Sequence, residues 1–322
     1  MANDMKSVLK GENYHSVIPL WDLEFHPWHK FTERTFKIGV DFQSLTAGEK
    51  EKQIEVNAEI IAEVANKLHF SAVTVPGGYW ETSPGMPAYF WMPSDYRFRQ
   101  LELIRKVLPS DVLTIAVTGG VMAIPDASVY VDFSYKLFDA PEEIDESARR
   151  MLNSGLELMK KAKDAGADAV ITASDLSDNK GPFFSMEQME RFVLPYLREW
   201  VDAVRKEGLF SILHTDGNIM PILDVLCDTG VNAIQAIDPV AEMDMAGTIR
   251  KCLGRTVLCG NVDCGNLVAG TPDSVFDEAK KLLENCKSLE KWVFGASNAV
   301  QNEVPRENYE AMVAAWQKSG QL

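Results

Sequence analysis

The amino-acid sequence predicts an α/β fold, a single (β/α)8 TIM-type barrel, and three observations support this. Short apolar runs of β-type residues recur, and from residue 168 on they start about 23 to 41 residues apart, as βα units do. Each run is apolar throughout, as expected of parallel strands buried on both faces. Helix-start signals lie between the runs. We expect one domain over residues 1–322, with residues 1–35 as an N-terminal extension that contributes to the barrel mouth.

Eight apolar runs supply the strands that a closed barrel requires. In chain order they cover residues 17–20, 71–75, 111–117, 168–172, 209–213, 232–237, 256–259 and 292–294. The helices between them have readable starts. Ser185 and Gln188 have the spacing of a capping box, Thr271 stands before Pro272, and Pro305 precedes the last helix. Between Ser185 and residue 204, apolar residues follow at three-and-four spacing, which predicts one helix face packed on the barrel.

The segment 76–94 interrupts this pattern. It carries four prolines and five aromatic residues, so it suits neither a helix nor a strand. A loop of this length at a barrel mouth is often a lid, and a loop packed for structural reasons is the equal alternative.

Composition excludes several classes of function. The chain has 32 Lys and Arg against 47 Asp and Glu, a formal charge of −15, which disfavours nucleic acid and anionic membranes as partners. No apolar stretch approaches the roughly 18 residues that span a bilayer, and the start has no signal-peptide pattern. Five cysteines without zinc-ribbon spacing are expected to be reduced thiols. We expect a cytoplasmic protein; the sequence leaves a monomer and a homodimer open.

Polar side chains follow six of the predicted strands. Because chemistry in a (β/α)8 barrel lies at the carboxyl ends of the strands, these residues should converge on one mouth. They are Asp22, Glu24, His26 and His29; Ser174 and Asp175; His214, Asp216 and Asn218; Asp238; Asn261 and Asp263; and Ser297 and Asn298.

His214 and Asp216 form the strongest signal in this set. Their i, i+2 spacing at a strand end places an imidazole and a carboxylate on the same side of the mouth. Such a pair binds a divalent metal or holds the histidine in one tautomer for acid–base chemistry. The structural alternative is that Asp216 turns the chain while His214 is hydrogen-bonded in the barrel wall.

Four stretches in the second half of the chain carry a family pattern: GPFFSMEQMERFVLPYLREWVDAV, HTDGN, CGNVDCGNLVAGTPDSV and VPRENYEAMVAAW. They resemble the uroporphyrinogen decarboxylase superfamily, which also contains corrinoid-dependent methyltransferases. The resemblance implies the same distorted barrel, but it does not fix the reaction.

The resemblance also shows where this chain departs from true porphyrinogen decarboxylases. Those enzymes carry a PxWxMRQAGR-like signature whose arginines bind the substrate carboxylates. This chain has IPLWDLEFHPWHK there, with Glu24, His26 and His29 in place of the cations. The family's aspartate and late histidine fall near Ala72 and Ser297. A polycarboxylate would meet repulsion at this mouth.

The methyltransferase branch holds zinc with a His-x-Cys motif and a late cysteine. Here Asp216 replaces the first cysteine, and Ala296 and Ser297 stand near the second position. A harder ligand set of His214, Asp216 and either Asp175 or Glu24 suits a more Lewis-acidic metal or none. Such a site suits protonation or metal binding of the oxygen that leaves a methyl ether or alcohol.

Our preferred hypothesis is a corrinoid-dependent methyltransferase. His214 and Asp216, with or without zinc, would activate the leaving group, and Asp175 and Glu24 complete the predicted catalytic set. The predicted substrate-binding residues are His26, Trp28, His29, Tyr79, Trp80, Asn261, Asp263, Ser297 and Asn298, with Tyr89 as a further aromatic residue at the mouth. The cobalamin-type cofactor would sit on a separate corrinoid protein, because this chain has no DxHxxG motif.

Two other functions are compatible with the sequence. A decarboxylase of a tetrapyrrole or another carboxylated compound is suggested by the superfamily name and weakened by the missing arginines. A non-catalytic barrel that binds a cation or an amine is the second alternative. Turnover of a tetrapyrrole supports the first, and tight binding without turnover supports the second.

Overall fold

Parallel strands and intervening helices make up the computed structural model, which describes residues 5–12, 17–78 and 90–321. The strands are β1 (Ala72–Thr74), β2 (Leu113–Val117), β3 (Ala169–Ala173), β4 (Ser177–Asp178), β5 (Gly181–Pro182), β6 (Phe210–Thr215), β7 (Ala233–Ala236), β8 (Val257–Val262) and β9 (Trp292–Ala296). The helices are α1 (Met5–Leu9), α2 (Gly39–Gln43), α3 (Ala47–Leu68), α4 (Ser94–Val107), α5 (Tyr130–Asp139), α6 (Pro141–Asp164), α7 (Met186–Gln188), α8 (Leu194–Lys206), α9 (Leu223–Cys227), α10 (Met245–Cys252), α11 (Cys264–Ala269), α12 (Pro272–Cys286) and α13 (Arg306–Ser319).

Seven strands form one parallel sheet in the order β1-β2-β3-β6-β7-β8-β9, and β4 and β5 form a small antiparallel hairpin. The strands of the main sheet are buried almost throughout, which explains why their sequences are apolar on both faces. The predicted runs from residue 71 onward coincide with these seven strands, so the predicted α/β barrel is confirmed.

The eighth position in the ring belongs to residues 17–21. The Trp21 N–H donates to the Phe294 carbonyl, and the Phe294 N–H donates to the Pro19 carbonyl, each at 2.9 Å. On the other side, the Ser71 N–H donates to the Leu20 carbonyl at 2.8 Å. This segment therefore bonds both to β9 and to the chain entering β1, and it joins the two edges of the parallel sheet.

The helix predicted after Ser185 begins as expected but is not continuous. Ser185 and Gln188 form the capping box, and the apolar stripe that includes Trp200 is buried. A π-helical turn over Met189–Val193 separates α7 from α8. Pro195 has no N–H to donate to the preceding turn, so the regular hydrogen-bond ladder cannot run through this point.

Further helix starts agree with the sequence in part. Thr271 caps α12 and accepts from the Ser274 N–H, as predicted. Pro305 stands at the N-cap of α13 but supplies no side-chain cap. Part of the segment 76–94, namely residues 79–89, lies outside the described residues, so the predicted lid stays a prediction. Within the described residues, no helix has the length and apolarity needed to cross a membrane.

A buried carboxyl fastens the N-terminal segment to β9 and α13. Asp22 accepts the Ala296 N–H at 2.7 Å and the Tyr309 hydroxyl at 2.5 Å. Burial raises the pKa of Asp22 to about 6, although both hydrogen bonds act in the opposite direction.

This raised pKa predicts an unusual pH dependence of stability. The folded state binds the Asp22 proton more tightly than the unfolded chain, so the contribution to stability is full below about pH 4. It is lost as the pH rises through about 6. The shift from 3.8 to about 6 corresponds to about 3 kcal/mol. In Asp22→Asn, the free energy of unfolding should not show this decrease between about pH 4 and pH 6.

Urea unfolding of wild type and Asp22→Asn at matched pH values between 4 and 7 measures the effect. The difference between the two proteins isolates Asp22 from every other acidic group. Parallel pH curves would contradict the assignment.

Candidate functional site

The candidate site lies at the carboxyl ends of β3 and β6. His214 belongs to β6 and is fully buried, Asp175 follows β3, and Asp216 follows β6. The His214 Nε2 is 3.8 Å from Asp175 Oδ1 and 3.8 Å from Asp216 Oδ1. The Asp175 side chain is 44% exposed and that of Asp216 33%, so the cluster opens to solvent on its carboxylate side.

A third strand fixes the proton on His214. In β7, Gln235 stands opposite His214 in register, and its Oε1 lies 2.5 Å from the His214 Nδ1. The Gln235 Nε2 donates to the carbonyls of Ala296 and Ser297, at 3.2 and 3.1 Å. Because the Gln235 amide nitrogen donates to these two carbonyls, the Gln235 amide oxygen is the atom that faces the imidazole. An amide oxygen only accepts hydrogen bonds, so the His214 Nδ1 must carry the hydrogen. In the neutral ring the lone pair then resides on Nε2, the atom that faces the two aspartates.

Sequence reasoning did not select Gln235. Its one signal was a polar side chain inside the otherwise apolar stretch 233–237. A buried polar group in a central strand requires hydrogen-bond partners, and such a position can be flagged from sequence without revealing the partners.

Asp216 is held by groups from two other strand ends. The Asn298 Nδ2 donates to Asp216 Oδ2 at 2.6 Å, and the Asp216 N–H donates to Asp175 Oδ1 at 3.0 Å. Burial raises the pKa of Asp216 to about 6; His214 lowers it, and Asp175 and Asp238 raise it further. This carboxyl can therefore exchange a proton near neutral pH or serve as a metal ligand once ionised.

Gly217 makes the turn after Asp216 possible. Its φ is +81°, and a Cβ there would lie 2.4 Å from the Ser177 carbonyl oxygen. A side chain is excluded both by backbone conformation and by space. The glycine of the HTDGN motif thus lets the loop after β3 pack directly against the loop after β6.

A groove of about 630 Å³ extends from this cluster across the mouth. Three of its lining residues are acidic, and an apolar strip runs beside them; these are Asp216, Asp238 and Asp263, and Val240, Val268 and Val304. Within the described part of the chain, the lining residues include no Lys, Arg or His. The groove therefore has a negative potential that disfavours carboxylate-rich ligands.

Glu24 and His26 form a separate pair. Both are fully buried, with Glu24 Oε2 3.0 Å from His26 Nε2, and Glu24 Oε1 accepts the Gly77 N–H at 3.2 Å. The His26 ring stacks on Phe90 at 3.7 Å. The pair adjoins the loop that carries Asn298, because the Val300 N–H donates to the Glu24 carbonyl. Neither side chain belongs to the cluster around His214.

The other predicted binding residues lie in different surroundings. Trp28 is buried among aromatic side chains, 4.9 Å from Phe25, and is not brought to the groove. His29 is largely exposed on the adjoining 3-10 turn (Pro27–Lys30). Partial desolvation of its ring, together with the charge of Lys30, lowers its pKa.

Asn261 is also withdrawn from the groove, since its Nδ2 donates to the carbonyls of Ile237 and Met243. Asp263 and Ser297 line the groove, with Asp263 also capping α11. Tyr79, Trp80 and Tyr89 lie outside the described residues.

Asp175, His214 and Asp216 have the composition of a metal site. Each offers one ligand atom, and these atoms lie within 4.8 Å of one another. The lone pair on His214 Nε2 and the carboxylate oxygens fit zinc and the harder divalent metals. Among the described residues, no thiol joins this group; the Cys264 sulfur lies instead 3.7 Å from the Ser297 hydroxyl.

The contact with Gln235 predicts that neutral His214 carries its hydrogen on Nδ1, and this tautomer can be tested. In Gln235→Met, the Nδ1 acceptor is lost and two buried carbonyls lose their donor. We expect His214 to populate both neutral tautomers and the free energy of unfolding to fall by about 1–3 kcal/mol. Nitrogen chemical shifts of ¹⁵N-labelled histidine measure the tautomer, with His214→Asn to assign its signals among the five histidines.

Gln301→Met is the matched control, because Gln301 lines the groove without contacting His214. It should keep the wild-type tautomer. A wild-type tautomer in Gln235→Met would show that Gln235 does not set the position of the proton.

Comparisons with known proteins point to one family. The family model described as Uroporphyrinogen decarboxylase (URO-D) matches residues 93–319. Over 99 residues the chain is 32% identical to the methylcobamide:CoM methyltransferase MtbA of Methanosarcina mazei. This alignment covers 30% of this chain and 28% of MtbA. Over 219 residues it is 25% identical to a uroporphyrinogen decarboxylase of Anaeromyxobacter dehalogenans, covering 66% of this chain and 60% of that one.

A solved structure has the same fold. A methyltransferase from Methanosarcina mazei superposes with a TM-score of 0.69 at 18% identity, covering 97% of this chain and 96% of that chain. At this identity the similarity shows the fold alone. The alignments with the two curated relatives span less than two thirds of the length of each relative.

Proposed function

We propose that this chain is a methyltransferase. It belongs to the uroporphyrinogen decarboxylase family, as its motifs predicted. It would move a methyl group between a small methylated substrate and a separate corrinoid protein. The observation that carries the proposal is the cluster of Asp175, His214 and Asp216, in which Gln235 directs the His214 lone pair toward two carboxylates. The 32% identity over 99 residues to the methyltransferase MtbA of Methanosarcina mazei supports the same reaction class.

The reaction requires activation of the leaving heteroatom. When a methyl group leaves an ether or alcohol for a cobalt(I) corrinoid, the C–O bond breaks and the oxygen keeps the electron pair. That oxygen must gain a proton or bind a Lewis acid. Asp216, with a pKa of about 6, holds a proton beside His214 in part of the population near neutral pH. Asn298 and the Asp175 carboxylate keep Asp216 in place.

A bound metal would be held by His214 Nε2 and the carboxylates of Asp175 and Asp216. It would supply Lewis acidity toward the leaving heteroatom. In either case Gln235 keeps the hydrogen on Nδ1, so that Nε2 is the basic atom of the neutral ring.

The acidic lining of the groove favours binding of a substrate that carries few or no carboxylates. Asp238 and Asp263 line it beside Asp216, and the described lining residues offer no cation to a carboxylate. A porphyrinogen with many carboxylates would be repelled, which weighs against the decarboxylase alternative. The corrinoid protein would approach the same mouth, since both reacting groups must meet at the cluster. The cytoplasmic location and the oligomeric state remain predictions.

Metal content tests the donor set. We expect about one zinc or other divalent metal per chain in protein purified without chelator, and loss of that metal in His214→Ala and Asp216→Ala. Asp238→Asn is the matched control, because this aspartate lines the groove outside the cluster and should retain the metal. Elemental analysis of each protein gives the ratio. Equal metal in all variants would rule out this ligand set.

Methyl transfer tests the reaction itself. Methylated ethers, alcohols and amines are offered with cobalt(I) cobalamin, and methylcobalamin formation is followed by its absorbance. His214→Ala should lower the rate by about 10²-fold or more, through loss of the acid or of a metal ligand. Asp202→Asn, which removes an exposed carboxylate on α8 outside the groove, should stay close to wild type. Tetrapyrrole turnover would instead support a decarboxylase, and tight binding without turnover a binding protein.

A further inference from the structure

Two cysteines meet at the end of the barrel opposite the candidate site. Cys227 is the last residue of α9 and Cys252 the last of α10, and these helices lead into the amino ends of β7 and β8. The two sulfur atoms are 3.5 Å apart. A bonded disulfide needs about 2.05 Å between its sulfurs, so a small displacement separates this contact from a covalent bond.

The pair lies directly beneath a charged surface cluster. Cys227 and Cys252 are 3% and 1% exposed, and above them Arg255 is bound by Asp224 and Asp228. The Arg255 Nε donates to the Cys252 carbonyl at 3.1 Å, so the guanidinium is anchored beside the thiols. The Arg255 side chain is 33% exposed, so the charged cluster beside the pair reaches the solvent.

Cys227 differs from the other four cysteines, since the hydrogen bond to Cys227 raises the pKa of Cys252 and burial raises the pKa of Cys259. Burial raises the pKa of Cys264 to about 11 and that of Cys286 to about 12. The pKa of Cys227 is lowered, first because the Cys252 S–H donates to it and also because Arg255 is near. A thiolate is the nucleophilic form of cysteine, so Cys227 is the member of the pair prepared to react.

We propose that Cys227 and Cys252 form an oxidation site that converts to an intramolecular disulfide with a hydroperoxide. The Cys227 thiolate attacks one peroxide oxygen, the O–O bond breaks, and Cys227 becomes a sulfenic acid as water leaves. The Cys252 sulfur then attacks the Cys227 sulfur, the S–S bond forms, and the S–O bond breaks to release a second water. Two thiols and one hydrogen peroxide give one disulfide and two waters.

This site is separate from the proposed methyl-transfer chemistry. The pair precedes β7 and β8, whereas His214 and Asp216 stand at the opposite ends of the strands. The inference therefore stands or falls independently of the proposed function.

Thiol counting on the full-length chain tests the proposal. The reduced protein has five cysteines, and after brief treatment with hydrogen peroxide under native conditions we expect three to remain titratable on unfolding. Peptide mapping should find Cys227 joined to Cys252 within one chain, and dithiothreitol should restore five thiols. Five titratable thiols at a dose that fully oxidises glutathione would overturn the proposal, as would a disulfide that joins other cysteines.

Substitutions identify the order of events. In Cys252→Ser, the Cys227 sulfenic acid has no resolving thiol and should be trapped there by dimedone. Cys286→Ser is the matched control, a lone buried cysteine whose loss should leave the disulfide unchanged. Trapping at Cys264 instead of Cys227 would contradict the assigned nucleophile. Mapping of the wild-type protein decides the question even where a variant fails to fold.

Discussion

Closure of the parallel sheet is the constraint on which the candidate site depends. Residues 17–21 bond to β9 on one side and to Ser71 on the other, and this joins the two edges of the sheet. In a flat sheet, β6 and β9 would be separated by three strand spacings, roughly 14 Å. In the ring, the Asn298 side chain that follows β9 donates to Asp216 after β6 at 2.6 Å. The curvature of the sheet therefore assembles the site.

The same closure explains why the carboxyls at this end have altered properties. Asp22 is buried where the N-terminal segment meets β9 and α13, and burial raises its pKa. Asp216 is partly withdrawn from water among Asp175, Asp238 and His214, and its pKa rises for the same principal reason. In a chain with a formal charge of −15, carboxyls crowded at one mouth favour protonation or a cation. The first outcome suits proton donation and the second suits a metal.

Much of the arrangement could be read from local sequence. Apolar runs identified the strands because a strand buried on both faces has little room for polar residues. The spacing of His214 and Asp216 placed both at one strand end, and the structure brings Asp175 to the same point. Trp28 shows the limit of such reasoning. An aromatic residue near acidic and imidazole groups suggested a mouth position, but contacts with Phe25 and Phe70 hold it in the interior.

The sequence alone determined the strand order along the chain, the residues that end each strand, the helix caps and the family. Each of these depends on short-range periodicity or on a local motif. The tertiary structure decided which distant residues meet. Gln235 fixes the His214 proton, Glu24 pairs with His26, and Cys227 touches Cys252. These contacts join neighbouring strands, loop segments and helix ends, and their distances follow from sheet register, curvature and helix packing, which no local pattern specifies.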